Sequence, residues 1–589
     1  MITQTIGQQK TLQDVTDLYE YARDSEVRKK YILQLNENYK FYSGEQWSPA
    51  LKQEMADVGA MPLVFNRIEP LVNTYTSLQI ASRRRASFKS STGLPQHDIL
   101  AQNLNNLIYN IQNQNDYQNQ ITQKFIDALI GGIGWSHFCY DDDTQSFVYN
   151  TEDPRGMFWD PDDQTQRLHN SNFVGNAYYV SVVQLKQRYP KYADYFESLV
   201  STRSNKGDDG YIWYPMDDDG SWTKGRSIKI VEIYYKKNAK YYEAIVSFNS
   251  DVPLDEDGVT SIEQYFNTFD EDLANSKKEK GTEVKTKDGT EIWKAVFCQD
   301  VLLESGRLNA QIPNQKSFPY VPLSLKRNYL GLPVGVVEGL VSPQIALNYV
   351  WTKTLHGLNS KYLIVDDNSL DKAKMRDELL LELHKKVGII YAKNPQNAQF
   401  INSENLLPQF FNALARIDFE FQQRTQLYDE IRGEESNAVS GKAIQQRTVN
   451  NLRSQNPLIS IYEYMLMTEA NLMLDTIRGV KDLKYAFNYY KDGKISYATL
   501  DQEISTINFE VFPDIAPEFS SVNEEQQAKF ANIINSPSAA LIFSDPFFLE
   551  KMGVTKEEAA NAYEAYKRAT QAQAQPQEEQ QQEQQQIIA

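Results

Sequence analysis

The sequence has few of the residues that cross-link a chain or hold a metal. Only two cysteines, Cys139 and Cys298, occur in 589 residues, so a disulfide framework and a four-thiolate zinc site are excluded. A reducing compartment suits such a chain best. The five histidines form no set with metal-ligand spacing and no triad-like set. They are His97, His137, His169, His356 and His384. We therefore predict no cofactor, no catalytic metal and no enzymatic activity.

Long apolar runs are also missing. The longest, Ala128 to Trp135 and Val334 to Val341, are far shorter than the ~20 residues that cross a bilayer, and Glu338 interrupts the second. The first thirty residues are mostly polar, with no apolar segment of signal-peptide length. We expect a protein that is neither secreted by a standard signal nor embedded in a membrane.

The chain has fewer positively charged than negatively charged side chains. The chain has 60 Lys and Arg against 78 Asp and Glu, a formal charge of −18. Proteins that grip nucleic acid cluster Lys and Arg over one face, and the overall acidity argues against such a grip. An acidic lining would instead repel a duplex and let it slide past. The charge is thus compatible with the passage of DNA.

What the chain does contain predicts a large mixed α+β fold. Hydrophobic residues make up 41% and aromatic residues 12%, enough for a large core. Apolar residues recur at helical spacing over residues 11–57 and 98–133, whereas residues 136–330 alternate between strands and turns. The glycines of Gly131-Gly132-Ile133-Gly134 follow a helix and precede a strand. They are therefore expected to end that helix rather than to cradle phosphate.

Several polar stretches of this first part have competing interpretations. Acidic turns such as Asp141-Asp142-Asp143 suit tight turns, and a structural metal stays an open alternative, although none has the spacing of a calcium loop. The run Arg83-Arg84-Arg85 is predicted to be a helix end or a subunit interface in preference to a phosphate contact. The charge-rich stretch 265–292 is predicted to be a mobile or exposed insertion.

Three helices dominate the second half. Ser342-Pro343 is a helix-start signal, and the first helix is predicted to reach about Ser360. A small α/β unit follows, and a second helix runs from after Pro408 to near Gly433. The third is predicted from Ser440 to about Arg478, with a kink at Pro457. The Gly441-Lys442 pair before it is not a nucleotide loop, because Ala443 stands where a magnesium-binding Ser or Thr is needed.

The order of these pieces resembles the portal (head-to-tail connector) proteins of tailed bacteriophages, in particular the short-tailed, podovirus-type group. The resemblance lies in a helix that opens with Ser-Pro-Gln and carries Asn348, an α/β insert, a second helix, a polar loop, and the run Ser440 to Ile444. The segments Phe41 to Trp47 and Pro62 to Ile68 resemble the amino-terminal signature of the same family. The resemblance covers roughly residues 15–515.

The resemblance implies a multi-domain subunit with long central helices, a β-rich wing, a small α/β clip and a helical crown. On this sequence the implied parts are the amino-terminal wing 1–341, stem helix 342–360, clip 361–405, stem helix 409–432, tunnel loop 433–441, long kinked wing helix 442–480, a return to the wing 481–515, crown 516–572 and a Gln-rich tail 573–589. The tail is either disordered or a short barrel.

The function implied by the resemblance is a ring, a dodecamer, at one capsid vertex of the virion, assembled in the host cytoplasm. Its channel would pass double-stranded DNA non-specifically during packaging and ejection. Its implied partners are further copies of itself, the terminase motor, tail or adaptor proteins, and the major capsid and scaffolding proteins. The residues expected at the channel are Glu434, Glu435, Ser436, Asn437 and Lys442 in the tunnel loop, and Lys353, Arg416, Glu420 and Arg424 on the stem helices.

Two other classes of function compete with this one. Abundant Tyr, Trp and carboxylates could suit a glycoside hydrolase, whose chemistry needs two carboxyl groups beside a sugar bond, but no catalytic pair stands out. A virion scaffold or adaptor that forms no ring would keep the fold and lose the channel.

Overall fold

The computed structural model describes residues 6–57, 61–81, 84–92, 94–201, 222–249, 260–279, 282–359, 362–365, 398–401, 407–425, 456–480, 485–491, 494–500 and 507–515. The chain divides into two compact units, Met1–Asp514 and Ile515–Ala589. Apart from Ile515, every described residue belongs to the first unit. The predicted crown 516–572 and tail 573–589 lie outside the described residues.

Helices account for much of the described chain, and the two helical regions predicted near the amino terminus are confirmed as five helices. The described helices are α1 (Ile6–Asp24), α2 (Glu26–Tyr42), α3 (Pro49–Asp57), α4 (Ile68–Ala81), α5 (Pro95–Gln114), α6 (Tyr117–Gly131), α7 (Val182–Arg188), α8 (Ala193–Ser201), α9 (Glu271–Glu279), α10 (Glu338–Asn359), α11 (Leu407–Thr425) and α12 (Asn456–Gly479). No described helix is both long enough and apolar enough to span a bilayer.

Strands fill the region that was predicted to be β-rich, and the α+β class is confirmed. The described strands are β1 (Arg84–Ser90), β2 (Ile133–Asp141), β3 (Ser146–Glu152), β4 (Met157–Trp159), β5 (Phe173–Ser181), β6 (Thr223–Lys224), β7 (Ser227–Asn249), β8 (Ser261–Thr268), β9 (Val284–Cys298), β10 (Val301–Arg307), β11 (Tyr320–Ser324), β12 (Lys326–Arg327), β13 (Pro333–Val334), β14 (Tyr362–Val365), β15 (Ala398–Ile401), β16 (Tyr485–Lys491), β17 (Lys494–Leu500) and β18 (Phe509–Ile515).

The largest sheet is built on β7, which is 23 residues long. Its strand order is β10-β9-β7-β5-β4, and β6 and β8 also pair with β7. The first half of β7 pairs with β5, from Ser227 opposite Ser181 to Tyr235 opposite Phe173. Its second half pairs with β8 and β9 and continues as a three-stranded arm.

The arm contains the charge-rich stretch that was predicted to be a mobile or exposed insertion. Residues 265–292 contribute the end of β8, helix α9 and the start of β9. Residues 285–288 are exposed, as expected, but they pair with residues 240–243 of β7. Strand pairing with a long neighbour overrides the low content of apolar residues.

The two faces of the large sheet bury different helices. Val231, Ile233 and Tyr235 of β7 pack in one cluster with Tyr19 of α1. Ile228 and Ile230 point the other way, since side chains alternate along a strand, and they pack against α7 and α8. The main sheet is therefore covered on both faces.

A second, three-stranded sheet has the order β11-β2-β3. The helix before it ends at Gly132, which has φ +84°, as the glycine run predicted. A Cβ at this position would lie 2.3 Å from the backbone nitrogen of Val334. Only glycine permits both this backbone angle and this close approach.

The helices α4–α6 and α10–α12 share one large core with this small sheet. Leu347 of α10, Leu414 and Phe421 of α11, and Met473 of α12 all belong to it. Leu414 and Phe421 thus lie on the buried face of α11. Part of the third helix is described as α12, and residues 440–455 before it lie outside the described residues, so the kink at Pro457 stays a prediction.

A buried ionic network fixes α12 against the rest of this core. Lys124 of α6 and Glu469 of α12 are 0% and 2% exposed, and Lys124 Nζ lies 2.6 Å from Glu469 Oε1. The same oxygen accepts hydrogen bonds from Ser136 Oγ at 2.6 Å and Tyr149 OH at 2.9 Å. Tyr117 OH donates to Glu469 Oε2 at 2.7 Å. Helix α6, two strands and α12 therefore meet at one carboxylate.

The network is costly to disturb because its groups have no access to water. Burial lowers the pKa of Lys124, and the Glu469 carboxylate opposes that shift. Burial, together with the same carboxylate, raises the pKa of Tyr117 and Tyr149 well above the usual value. Both phenols therefore remain donors, and the carboxylate keeps its full set of partners.

Substitution of Lys124 should destabilise the protein strongly. Lys124→Met leaves Glu469 as an uncompensated buried charge, and we expect a loss of about 3–5 kcal/mol in the free energy of unfolding. The double variant Lys124→Met/Glu469→Gln removes the charge but keeps an acceptor, and should recover part of the loss. Urea titration of the purified variants measures both. A single variant as stable as the parent would show that the pair contributes nothing.

Candidate functional site

The candidate site is the pair of helices α10 and α11, which carry the predicted stem residues. Two antiparallel strands, β14 and β15, lie between them in the chain. Helix α10 begins at Glu338 and not at Ser342, so the predicted helix start is wrong. Pro343 lies inside the helix, where its ring removes one backbone N–H. The carbonyl that would have accepted from residue 343 belongs to Gly339, four residues earlier.

Arg424 of α11 supplies the missing donor. Its Nη1 donates to the carbonyl oxygen of Gly339 at 2.8 Å. The carbonyl that the proline leaves free is therefore paired, and this contact ties the first turns of α10 to the end of α11. The sequence signal was present in Pro343 and Arg424, but nothing in the chain showed that the two lie together.

One face of α10 binds the extended segment before α4. Gln344, Asn348 and Thr352 are spaced by four residues, which places them in one row, and they are 0–3% exposed. Asn348 Oδ1 accepts from the backbone N–H of Phe65 at 3.0 Å, and Gln344 Oε1 accepts from that of Arg67 at 3.0 Å. Thr352 Oγ1 accepts from the N–H of Leu63 at 3.2 Å.

A second contact brings in the remaining amino-terminal segment. Asn348 Nδ2 donates to Gln46 Oε1 at 2.6 Å, and Gln46 lies in the segment Phe41 to Trp47. The two amino-terminal segments and the Asn348 helix were singled out separately in the sequence, and the structure places all three in direct contact. Sequence reasoning missed the signal of this contact, which is the row of polar residues Gln344, Asn348 and Thr352 at intervals of four.

Helices α10 and α11 also expose large apolar side chains. Their exposed fractions lie between 36% and 58%. They are Ile345, Tyr349 and Leu355 of α10, and Phe411 and Phe419 of α11. Such a concentration of exposed apolar residues on two neighbouring helices is typical of a surface that another protein covers.

The four predicted stem residues lie on solvent-exposed faces of the same helices. Lys353, Arg416, Glu420 and Arg424 are all exposed. Lys353 Nζ lies 5.4 Å from the ring centroid of Tyr349, and Arg424 Nε forms an ion pair with Glu420 Oε2 at 3.5 Å, one turn away. The tunnel-loop residues Glu434, Glu435, Ser436, Asn437 and Lys442 lie outside the described residues.

The two helices are joined through a pair of short strands. Tyr362 to Val365 of β14 pairs antiparallel with Ala398 to Ile401 of β15. The chain therefore leaves α10 and returns towards α11 side by side. Residues 366–397, most of the predicted clip 361–405, lie outside the described residues.

The described part of the arginine run makes contacts within the subunit, and its predicted place at a subunit interface stays a prediction. Arg84 and Arg85 begin strand β1 instead of ending a helix, and Arg83 lies outside the described residues. Arg84 forms an ion pair with Glu463 of α12, and the guanidinium of Arg85 lies 4.4 Å from the ring centroid of Tyr109. Neither described arginine is presented to a phosphate.

Residues 18–589 match the family model described as "Phage P22-like portal protein". The match extends over nearly the whole chain and includes every segment that forms the helix pair and its contacts. The chain belongs to this family. No protein among those with curated descriptions matches it.

Membership makes this portal-family chain a structural component of a phage particle. The resemblance seen in the sequence is confirmed, and the glycoside hydrolase alternative finds no support. Among the described residues, no three or more His, Cys, Asp or Glu side chains gather in a way that could hold a metal ion.

The contact between Arg424 and Pro343 can be tested as a double-mutant cycle. In the parent, Arg424→Met leaves the Gly339 carbonyl without its donor, and we expect a loss of about 1 kcal/mol in the free energy of unfolding. In a Pro343→Ala background the helix supplies its own N–H, so the same substitution should cost close to nothing. Equal losses in both backgrounds, measured by urea titration, would contradict the compensation.

Proposed function

We propose that copies of this portal-family chain close into a ring, a dodecamer, with the helix pair α10–α11 at the wall of a central DNA channel. The observation that carries the proposal is the set of exposed apolar side chains on these helices. A single copy leaves them in water, whereas a neighbour in a closed ring would cover the same surface on every copy.

Charge supports a channel through which DNA slides. Twelve copies of a chain with charge −18 carry about −200 in total. Each exposed side chain becomes a girdle of like charges in a ring, so Arg416 and Lys353 would form positive rings in a largely negative tube. Such a tube repels the duplex over most of its length and touches its phosphates at few levels.

The partners follow from the same arrangement. The segment between the helices, predicted as clip 361–405, is proposed as the surface that receives the terminase motor and later the tail or adaptor proteins. The wing is proposed to face the major capsid and scaffolding proteins at one vertex. DNA would pass in during packaging and out during ejection.

Ring assembly should depend on the exposed apolar side chains of α10 and α11. Tyr349→Glu/Phe419→Glu places charges where a neighbouring copy would pack. Since a buried aromatic side chain contributes roughly 1.5–3 kcal/mol, we expect the ring to dissociate at concentrations at which the parent stays assembled. Tyr329→Glu/Tyr265→Glu, at positions 94% and 62% exposed elsewhere, is the matched control. Native mass spectrometry reports the number of subunits.

One outcome would overturn the ring, and another would overturn the role of the helix pair in it. A parent chain that stays monomeric, or assembles without an axial opening in negative-stain images, would favour the scaffold or adaptor role. Rings that form equally well in both double variants would leave the channel possible but would remove the helix pair from the subunit interface.

We also propose that the loop 433–441 lines the narrowest level and that Lys442 contacts phosphates transiently. Glu434, Glu435, Ser436 and Asn437 would complete this level. Lys442→Ala removes one positive girdle, and particles carrying it should package or retain less DNA than the parent, as measured by packaged genome length. Normal packaging and retention would rule out the contact.

A further inference from the structure

The three-stranded sheet β11-β2-β3 meets the large sheet at a cluster of ionisable side chains. His137 of β2 and Glu152 of β3 are diagonal neighbours on one face, because Glu152 lies opposite Trp135, two residues before His137. Asn176 Nδ2 of β5 donates to Glu152 Oε2 at 2.8 Å. His137 Nε2 lies 3.1 Å from Tyr234 OH of β7. Both contacts join one sheet to the other.

The hydrogen bonds determine which ring nitrogen of His137 carries the proton. The Tyr234 hydroxyl donates its single hydrogen to Glu232 Oε1 at 2.7 Å. Its oxygen therefore accepts from His137 Nε2, which leaves Nδ1 of the neutral imidazole as an acceptor. Burial opposes the ionisation of Glu232, but Lys294, His137 and Tyr234 outweigh it and lower the pKa of this carboxyl. Lys294 Nζ lies 3.3 Å from Glu232 Oε1.

The other ring nitrogen faces Glu152 across a contact that lacks a donor. His137 Nδ1 lies 3.9 Å from Glu152 Oε1. A nitrogen lone pair and an ionised carboxylate are both acceptors, so they cannot form a hydrogen bond. A proton on Oε1 turns the same contact into an O–H···N hydrogen bond. Because Asn176 already donates to Oε2, Oε1 is the oxygen that gains from the proton.

The charges around Glu152 favour its protonated form. Burial, together with the carboxylates of Glu232 and Asp153, raises the pKa of Glu152 to about 7, against the hydrogen bond from Asn176. Three further groups interact with Glu152, and burial raises the pKa of each, so they stay neutral. They are Cys139 of β2, Tyr178 of β5 and Tyr320 of β11.

His137 is the weaker competitor for this proton. Burial lowers the pKa of His137 to about 4, and Lys294 lowers it further, while Glu232 acts in the opposite direction. Between about pH 5 and 8 the imidazole is therefore neutral, and a proton taken up by the pair resides on the carboxyl.

We propose that Glu152 and His137 form a proton-operated latch between the two sheets. With a proton on Oε1, Glu152 donates to His137 Nδ1, and hydrogen bonds run without a break from Asn176 through this pair and Tyr234 to Glu232. Release of the proton to solvent leaves two acceptors face to face, and the three-stranded sheet is held less firmly. The Glu152 side chain is 21% exposed, so the proton can exchange with water while the protein stays folded. The latch lies within one chain and does not depend on ring assembly.

Glu152→Gln tests the latch, because its amide keeps the shape of the side chain and can donate to His137 Nδ1 at every pH. Hydrogen exchange of the β2 and β3 amides in the full-length protein, followed by mass spectrometry, reports how often this part of the sheet opens. A change of pH alters the intrinsic exchange rate equally in parent and variant. The ratio of their rates therefore isolates the latch.

The direction of the pH dependence follows from the two pKa values of Glu152. An exposed glutamate has a pKa of about 4.3, and the higher value in the closed sheet contributes stability at low pH that is lost as the pH rises through about 7. The exchange rate of the parent relative to Glu152→Gln should therefore rise by up to about tenfold per pH unit between about pH 4.5 and 7, and level off above about pH 8.

Glu291→Gln is the matched control. It makes the same change at a partly buried carboxyl of β9 that faces donors, namely Arg307 Nε at 3.2 Å and Trp293 Nε1 at 2.6 Å. The ratio of parent to this variant in β2 and β3 should show no such rise. A ratio of parent to Glu152→Gln that is also constant over the range overturns the latch.

Infrared difference spectroscopy locates the proton. Acidification of the parent from about pH 8 to 6, the range in which Glu152 takes up its proton, should produce a carboxylic-acid carbonyl band with a component that Glu152→Gln lacks. Asp127 and Asp475, whose pKa values burial raises to about 6, contribute to both spectra. A pH-dependent exchange ratio without that component would place the proton on His137 and overturn the role of Glu152.

Discussion

The arrangement of this subunit depends on a charge that cannot reach water. Glu469 is enclosed by Lys124, Ser136, Tyr117 and Tyr149, and these partners come from α6, β2 and β3, while the carboxylate comes from α12. A buried carboxylate that lost one of these donors would have no solvent to replace it. Helix α12 therefore has one permitted position along its axis, because an apolar contact tolerates sliding and a carboxylate with four donors does not. The large core then packs around a helix whose register is already defined.

The same principle acts on α10, with neutral groups. Gln344, Asn348 and Thr352 accept from alternate backbone N–H groups, those of Arg67, Phe65 and Leu63, in an extended segment. Side chains replace a strand partner, and buried backbone donors are satisfied. Arg424 does the equivalent for the carbonyl that Pro343 leaves free. Polar side chains thus fix the register of both helices at the candidate channel wall. The exposed apolar side chains of the two helices stay available for a neighbouring copy.

Much of the fold could be predicted from periodicity alone. The helices, the β-rich region and the glycine helix end at Gly132 follow from local patterns. The errors have a common physical origin in contacts between distant segments. Pro343 indicated a helix start, but a donor 81 residues later lets the helix continue through it. No local pattern specifies that Lys285 to Asp288 pair with residues 240–243 of β7. Arg84 forms an ion pair with Glu463, and no local sequence pattern specifies that contact. The candidate channel residues on α10 and α11 could be placed on exposed helix faces because helical spacing decides exposure.

The pairing of β14 with β15 has a consequence for how such a subunit can diversify. Four residue pairs, from Tyr362 with Ile401 to Val365 with Ala398, already close the connection between α10 and α11. Doubling the length of chain beyond a closed pair costs only about 0.6 kcal/mol in closure entropy. The length of the interposed segment can therefore change at little entropic cost while the strand pair at the base of α10 and α11 stays closed.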